Sequence, residues 1–292
     1  MDISPEHDPV TRFLHRPDAD LAYDVHGPDL APGERVLLCV GQPMDAGGFR
    51  DLAAALPDRR VVAYDPRGLG RSTRSDGLDT SDPHVQAADL HALVGELGGP
   101  VEVFASSGGA ITALALVQAH PGDVAVLVAH EPPLIGELPD ADLARRGWQA
   151  VRATYDAHGS GAGMAAFLGW TSWSGPFTEE HLAAGPPDPA AFGLPTGDDG
   201  RRDDPLLSAR AAAMLTFVPD AAALAAAPTR VVLAVGEETG DAVTARTTRA
   251  LADRLGLDVA VFPSHHGGFA GAGNGWPGRP AEFAARLREV LG

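Results

Sequence analysis

Short apolar runs alternate, over the first half of the chain, with stretches whose apolar residues recur every three or four positions. That alternation predicts a parallel sheet with crossover helices, an α/β class of fold. Val36 to Val40 (VLLCV), Arg60 to Tyr64 (RVVAY), Val101 to Ala105 (VEVFA) and Val124 to Ala129 (VAVLVA) read as buried strands. Between them, Gly48 to Leu56, Pro83 to Leu97 and Gly108 to Ala119 carry helical spacing, and His120-Pro121-Gly122 stops the last of these. Leu21 to Val25 reads as an earlier antiparallel strand closed by His26-Gly27-Pro28.

The strand rhythm stops at about Leu134 and resumes after Ala227. The intervening segment is Ala-rich and punctuated by Gly and Pro. It predicts a helical cap over 134–227, inserted into a core domain made of 1–133 and 228–292. Ala141 to His158 and Leu206 to Phe217 are its expected helices, and Ala184 to Asp204, rich in Pro, Gly and Asp, its expected loop. The core resumes with the strand Arg230 to Val235, a helix from about Ala242 to Leu255, the strand Asp258 to Phe262 and a last helix from about Pro280 to Leu291. No repeat of fixed period is visible.

Composition then narrows the chemistry. A formal charge of -17 argues against a nucleic acid partner or an anionic membrane, which need basic surface. All 22 basic residues are Arg, which excludes Schiff-base chemistry, a lysine-anchored cofactor and a Walker A lysine. Cys39 is the only cysteine and falls inside a strand, so it reads as core; no disulfide and no cysteine zinc site is possible within the chain. The first twenty residues lack a basic start and an apolar run, and no apolar stretch approaches a membrane span, so a cytoplasmic protein is expected. Cofactor and metal are both expected to be absent.

Val101 to Ala110 (VEVFASSGGA) is a strand entering a helix through a very tight turn. In such a turn the residues two before and two after the exposed one crowd together and must be small. Ser107 has Ala105 and Gly109 there, whereas Ser106 would place Phe104 in that contact. A serine held there meets a base and an oxyanion site, which makes Ser107 the candidate nucleophile; its structural alternative is a helix N-cap. This pattern resembles the G-x-S-x-G turn of the α/β-hydrolase superfamily. Asp65-Pro66-Arg67-Gly68-Leu69-Gly70-Arg71-Ser72 is similar to the D-x-R-G-x-G-x-S turn of the same superfamily and is read as structural. The resemblance covers nearly the whole chain outside 134–227 and implies a mostly parallel eight-stranded sheet flanked by helices. Neither this turn nor Gly271 to Gly275 fits a nucleotide-binding loop.

Carried over by position, the resemblance implies further site residues. VLLCV runs into Gly41-Gln42-Pro43, where the superfamily shows H-G-x-P, so the backbone amides of Gln42 and Gly108 are the implied oxyanion donors, with Val40 replacing the usual histidine. In Pro263-Ser264-His265-His266-Gly267-Gly268, His266 fits the H-G-G pattern of the catalytic base, with His265 as the alternative. The acid that orients it is Glu131, from His130-Glu131-Pro132-Pro133, which resembles the H-E-x-P turn of zearalenone-type lactone hydrolases. The alternative acid is Asp241, in the more usual loop after RVVLAV, where Thr239 occupies the acid's position; Glu237 and Glu238 are lesser candidates.

Trp148, Trp170 and Trp173, with Phe167, Phe177, Met214, Phe217 and Trp276, are expected either to line an apolar pocket or to form the cap's own core. Together these residues imply a serine hydrolase that cleaves a carboxylic ester or lactone of an apolar small molecule, in a chain that can form homo-oligomers. A cofactor-free haloperoxidase or perhydrolase, or a binding protein on the same fold, are the rival readings.

Overall fold

The computed structural model describes residues 9–272 and 276–292; residues 273–275 of the glycine-rich run lie outside the described residues. Its centre is an eight-stranded sheet in the order β1-β2-β4-β3-β5-β6-β7-β8. The strands are β1 (Val10–Arg16), β2 (Ala19–His26), β3 (Leu37–Val40), β4 (Val61–Tyr64), β5 (Val101–Ser106), β6 (Val124–His130), β7 (Arg230–Gly236) and β8 (Val259–Phe262). β2 pairs antiparallel with both β1 and β4, and every pair from β4 to β8 is parallel.

The central strands are Val- and Leu-rich because both of their faces are covered. Leu38 and Val40 point into one apolar layer with Val103, Ile111 and Leu114; Leu37 and Cys39 point into the other with Phe104, Phe262 and Phe283. The helices of the core are α1 (Arg50–Ala54), α2 (Pro83–Glu96), α3 (Gly108–Ala119), and, after the inserted segment, α8 (Val243–Leu255) and α9 (Pro280–Leu291). Cys39 is fully buried, and burial pushes its thiol far above its usual range, so it is inert core.

β1 has no counterpart among the strands read from the sequence. It is the sheet's edge, its residues are mostly exposed, and one-sided exposure dilutes the apolar signal. The helix expected over Gly48 to Leu56 shrinks to α1, preceded by a 3₁₀ turn over Ala46–Phe49 that contains two glycines.

Between β6 and β7 lie α4 (Ala141–Thr171), α5 (Glu179–Ala183), α6 (Ala212–Thr216) and α7 (Ala221–Ala226). α4 reaches past His158 because Gly159 breaks it only locally, at φ 84° and ψ -170°. The expected helix over Leu206 to Phe217 is a 3₁₀ turn, Ala209–Ala211, followed by the short α6. This segment has its own apolar cluster around Trp148, Tyr155, Trp170 and Phe177, while Met214, Phe217 and Leu224 join the core of the sheet. Polar ties also hold it: Ser81 N donates to Arg210 O at 2.9 Å, and Gly175 N donates to Asp241 O at 3.0 Å. Among the described residues no helix is long and apolar enough to cross a membrane.

Candidate active site

The site forms where β5, β6, β7 and β8 end. Ser107 follows β5 at φ 56° and ψ -127°, outside the regions an L-residue ordinarily occupies. It is held there by two backbone bonds: its N–H donates to His130 O at 2.9 Å, and its C=O accepts from Ala110 N at 3.0 Å. A Cβ on Gly109 would stand 2.2 Å from Val40 O, and one on Gly108 2.6 Å from Gln42 O. Glycine at both positions therefore lets α3 start directly against the end of β3; the crowding neighbour of Gly109 is β3. The other serine of the pair, Ser106, is buried and lies 3.3 Å from His130 Nδ1.

Gln42 is buried, and its Nε2 donates to Ser81 Oγ at 2.8 Å, which fixes the loop after β3. Among the described residues, neither the Gln42 nor the Gly108 backbone amide donates to another group. Two free N–H groups beside Ser107 are what an oxyanion needs. Val40, in place of the usual histidine, is wholly buried.

Glu131 directly follows β6, also at positive φ (51°), and is wholly buried. Its Oε2 lies 2.5 Å from His266 Nδ1 and accepts the Thr244 hydroxyl at 2.8 Å; its Oε1 accepts the Gly236 N–H at 2.8 Å. Burial alone would raise this carboxyl, but the bond and charge of His266 reverse it and hold the group below the usual carboxylate range. Glu131 is thus an anion whose one titratable hydrogen-bond partner among the described residues is His266. Binding Glu131 through Nδ1 leaves Nε2 of the His266 ring free to take a proton.

Asp241, the alternative acid, is 70 % exposed and pairs with Arg249 at 3.0 Å. Glu237 and Glu238 both pair with Arg279. None of the three is bonded to His266. His265 takes the Gly267 N–H on Nδ1 at 3.1 Å and, among the described residues, has no carboxylate partner.

Sequence reasoning missed three features. His130, fully buried among Phe104, Phe262, Phe269 and Phe283, stands 6.0 Å centroid to centroid from His266; burial pushes its pKa down to about 4, so it is neutral at ordinary pH. Thr244 sits in the first turn of α8 rather than at a strand end. Ser264 has a φ of 72°, and it joins Ser107 and Glu131 as the three non-glycine residues of positive φ among the described residues. All three stand at strand ends around one site, where such strain concentrates.

Ser107 and His266 face a common cavity of about 630 Å³. Its apolar wall comes from the inserted segment, with Trp148, Phe167, Trp170, Leu206, Met214 and Leu215. Phe192 and Trp276, 42 % and 67 % exposed, stand at its rim. Among the described residues no arginine lines it, and Glu238 is its one carboxylate. Trp173 does not line it: the ring stacks on His181 at 3.9 Å and its Nε1 donates to Pro176 O. A group of metal-ligand types, His91, His120 and Asp123, lies at the other end of the sheet, before β6. Its two imidazoles stack face to face at 3.7 Å, so their lone pairs run parallel rather than converging on an ion.

An eight-stranded, mostly parallel sheet with a serine elbow after β5 and a histidine loop after β8 is the arrangement of an α/β-fold hydrolase. Solved structures agree in fold. An esterase from Thermogutta terrifontis superposes with a TM-score of 0.61 at 20 % identity, covering 97 % of this chain and 96 % of that one. A hydrolase from Pseudomonas aeruginosa gives 0.61 at 20 % identity, over 97 % and 98 %. An uncharacterized hydrolase of Bacillus subtilis, YraK, is 34 % identical over 132 residues; the match spans 44 % of this chain and about half, 47 %, of that protein. The family model matches residues 36–286, and the chain belongs to the alpha/beta hydrolase family.

Proposed function

We propose that the chain is a serine hydrolase acting on a carboxylic ester or lactone of an apolar, uncharged small molecule. The observation that carries this reading is the 2.5 Å contact between a wholly buried Glu131 and His266, above a cavity that Ser107 also lines.

In this reading the substrate carbonyl settles between Ser107 and the amides of Gln42 and Gly108. His266 Nε2 takes the Ser107 proton as Oγ attacks, Glu131 stabilises the imidazolium, and the two amides stabilise the tetrahedral oxyanion. His266 then gives the proton to the leaving alcohol, and a water activated by the same ring hydrolyses the acyl-enzyme. Among the described residues Ser107 Oγ makes no hydrogen bond to His266; such contacts tighten when substrate binds. The aromatic wall and the lack of a lining arginine favour a neutral substrate. Residues 134–227 act as its cap.

The test is intact-protein mass after treatment with a fluorophosphonate, with turnover on a panel of small esters and lactones. One adduct, lost in Ser107→Ala together with turnover, is the expected result. Turnover that persists in Ser107→Ala removes Ser107 as nucleophile.

A further inference from the structure

The carboxylate of Glu131 is deeply buried, yet it stands beside a substrate-sized cavity, and two threonines occupy the boundary. Thr244 donates to Oε2 at 2.8 Å, the same oxygen that binds His266. Thr239 stands where the superfamily's acid would come, and among the described residues its buried hydroxyl makes no hydrogen bond. Both side chains also line the cavity. They lie on two elements, the turn after β7 and the first turn of α8, and Gly236 N donates to the other oxygen, Oε1.

We infer that the Thr244 hydroxyl is a clamp that positions the Glu131 carboxylate for His266, and that Thr244 and Thr239 together separate the carboxylate from the cavity. The inference rests on the triad read above. A buried anion with only His266 as donor would swing or draw in water. The Thr244 hydroxyl on Oε2, with the Gly236 N–H on Oε1, fixes its rotamer and lowers its basicity, so that it orients His266 without taking the proton. The titratable groups facing this cluster are His266 on the loop after β8 and His130 beside Glu131 on β6. Glu237 and Glu238, on the β7 turn, are neutralised by Arg279, and the clamp's part of α8 offers only the hydroxyl.

The experiment measures kcat, KM and their pH profiles on a p-nitrophenyl ester for wild type, Thr244→Val, Thr244→Ser and Glu131→Gln. Valine keeps the shape of threonine and removes the donor. Thr244→Val should lose about ten- to a hundredfold in kcat, the worth of one hydrogen bond to a charged group, with KM changed by less than about threefold. Its acidic limb should move to higher pH, because a carboxylate relieved of a donor grips the His266 proton harder. Thr244→Ser should restore both. Wild-type kcat and an unmoved acidic limb in Thr244→Val, with Glu131→Gln crippled, would overturn the clamp and leave the triad standing. A harmless Glu131→Gln would overturn both.

Discussion

Replacing Glu131 by glutamine tests the proposed acid with almost no change of shape. The carboxylate accepts three donors: Gly236 N–H on Oε1, and His266 Nδ1 and the Thr244 hydroxyl on Oε2. An amide has one acceptor end, so it must choose. If its oxygen faces His266, its NH₂ confronts the Gly236 N–H, and a buried backbone donor is left unsatisfied at a cost of about 1–3 kcal/mol. If the amide turns over, its oxygen takes Gly236 and the Thr244 hydroxyl rotates to accept. The NH₂ then donates to His266 Nδ1. The second arrangement is favoured by that same margin, and it puts the imidazole proton on Nε2, the nitrogen that has to receive the Ser107 proton.

Glu131→Gln should therefore fold and bind normally but lose about 10⁴ in kcat, the scale of a wrong-tautomer triad. The assay pairs steady-state turnover of a short p-nitrophenyl ester with the rate of fluorophosphonate labelling of Ser107, since both steps use the same base. Parallel losses are expected. A variant within tenfold of wild type in both would refute the tautomer reasoning, and an equally large loss in Asp241→Asn would move the acid to the loop after β7.

Gly109→Ala places a Cβ 2.2 Å from Val40 O, so thermal denaturation should show the variant poorly folded or destabilised by several kcal/mol. His130 has a depressed pKa of about 4 in the fold and an ordinary one near 6.5 when unfolded. The unfolded chain thus binds the extra proton, and stability worth about 3 kcal/mol should be lost as pH falls from about 6.5 to about 4. Denaturant titrations should find this slope reduced by one proton in His130→Phe. Trp170→Ala should raise KM for apolar esters by about tenfold or more, whereas Trp173→Ala, outside the cavity, should leave KM within about twofold; equal effects would show that the wall acts only through folding. Finally, Thr239→Asp added to Glu131→Gln should recover at least tenfold in kcat by returning a carboxylate to the usual turn, and no recovery would mean that this turn does not reach His266.

How much of this was legible follows from where each signal resides. β3, β5 and β6 could be read because two covered faces demand unbroken apolar runs. β1 could not, since an edge strand with exposed Val10 and Phe13 mixes polar and apolar positions. In the inserted segment, glycines that suggest a helix stop are packing positions: a Cβ on Gly161 would stand 1.8 Å from Pro195 O, a contact invisible along the chain. Ser107, Glu131 and His266 stand out because each follows a strand in a turn of unusual composition. The partners of Glu131 carry no such mark. Thr244 lies 113 residues away, and only the fold brings it to the carboxylate.

The choice of glutamate over aspartate follows from the acid's position in the sheet. The histidine loop follows β8, and β7 lies between β8 and β6. An acid on the turn after β7 is one strand from the histidine; one leaving β6 must span a further spacing of about 4.8 Å. The extra methylene of glutamate supplies part of that reach. The positive φ of Glu131 supplies direction, turning the side chain across the end of β7, where Gly236 N meets it. Gly236 in turn has no room for a side chain: a Cβ would come within 2.7 Å of Ser264 O and 2.8 Å of Thr239 Oγ1. The glycine, the strained glutamate and the threonine are thus one solution to a single geometric demand, and relocating the acid by substitution requires all three to be considered together.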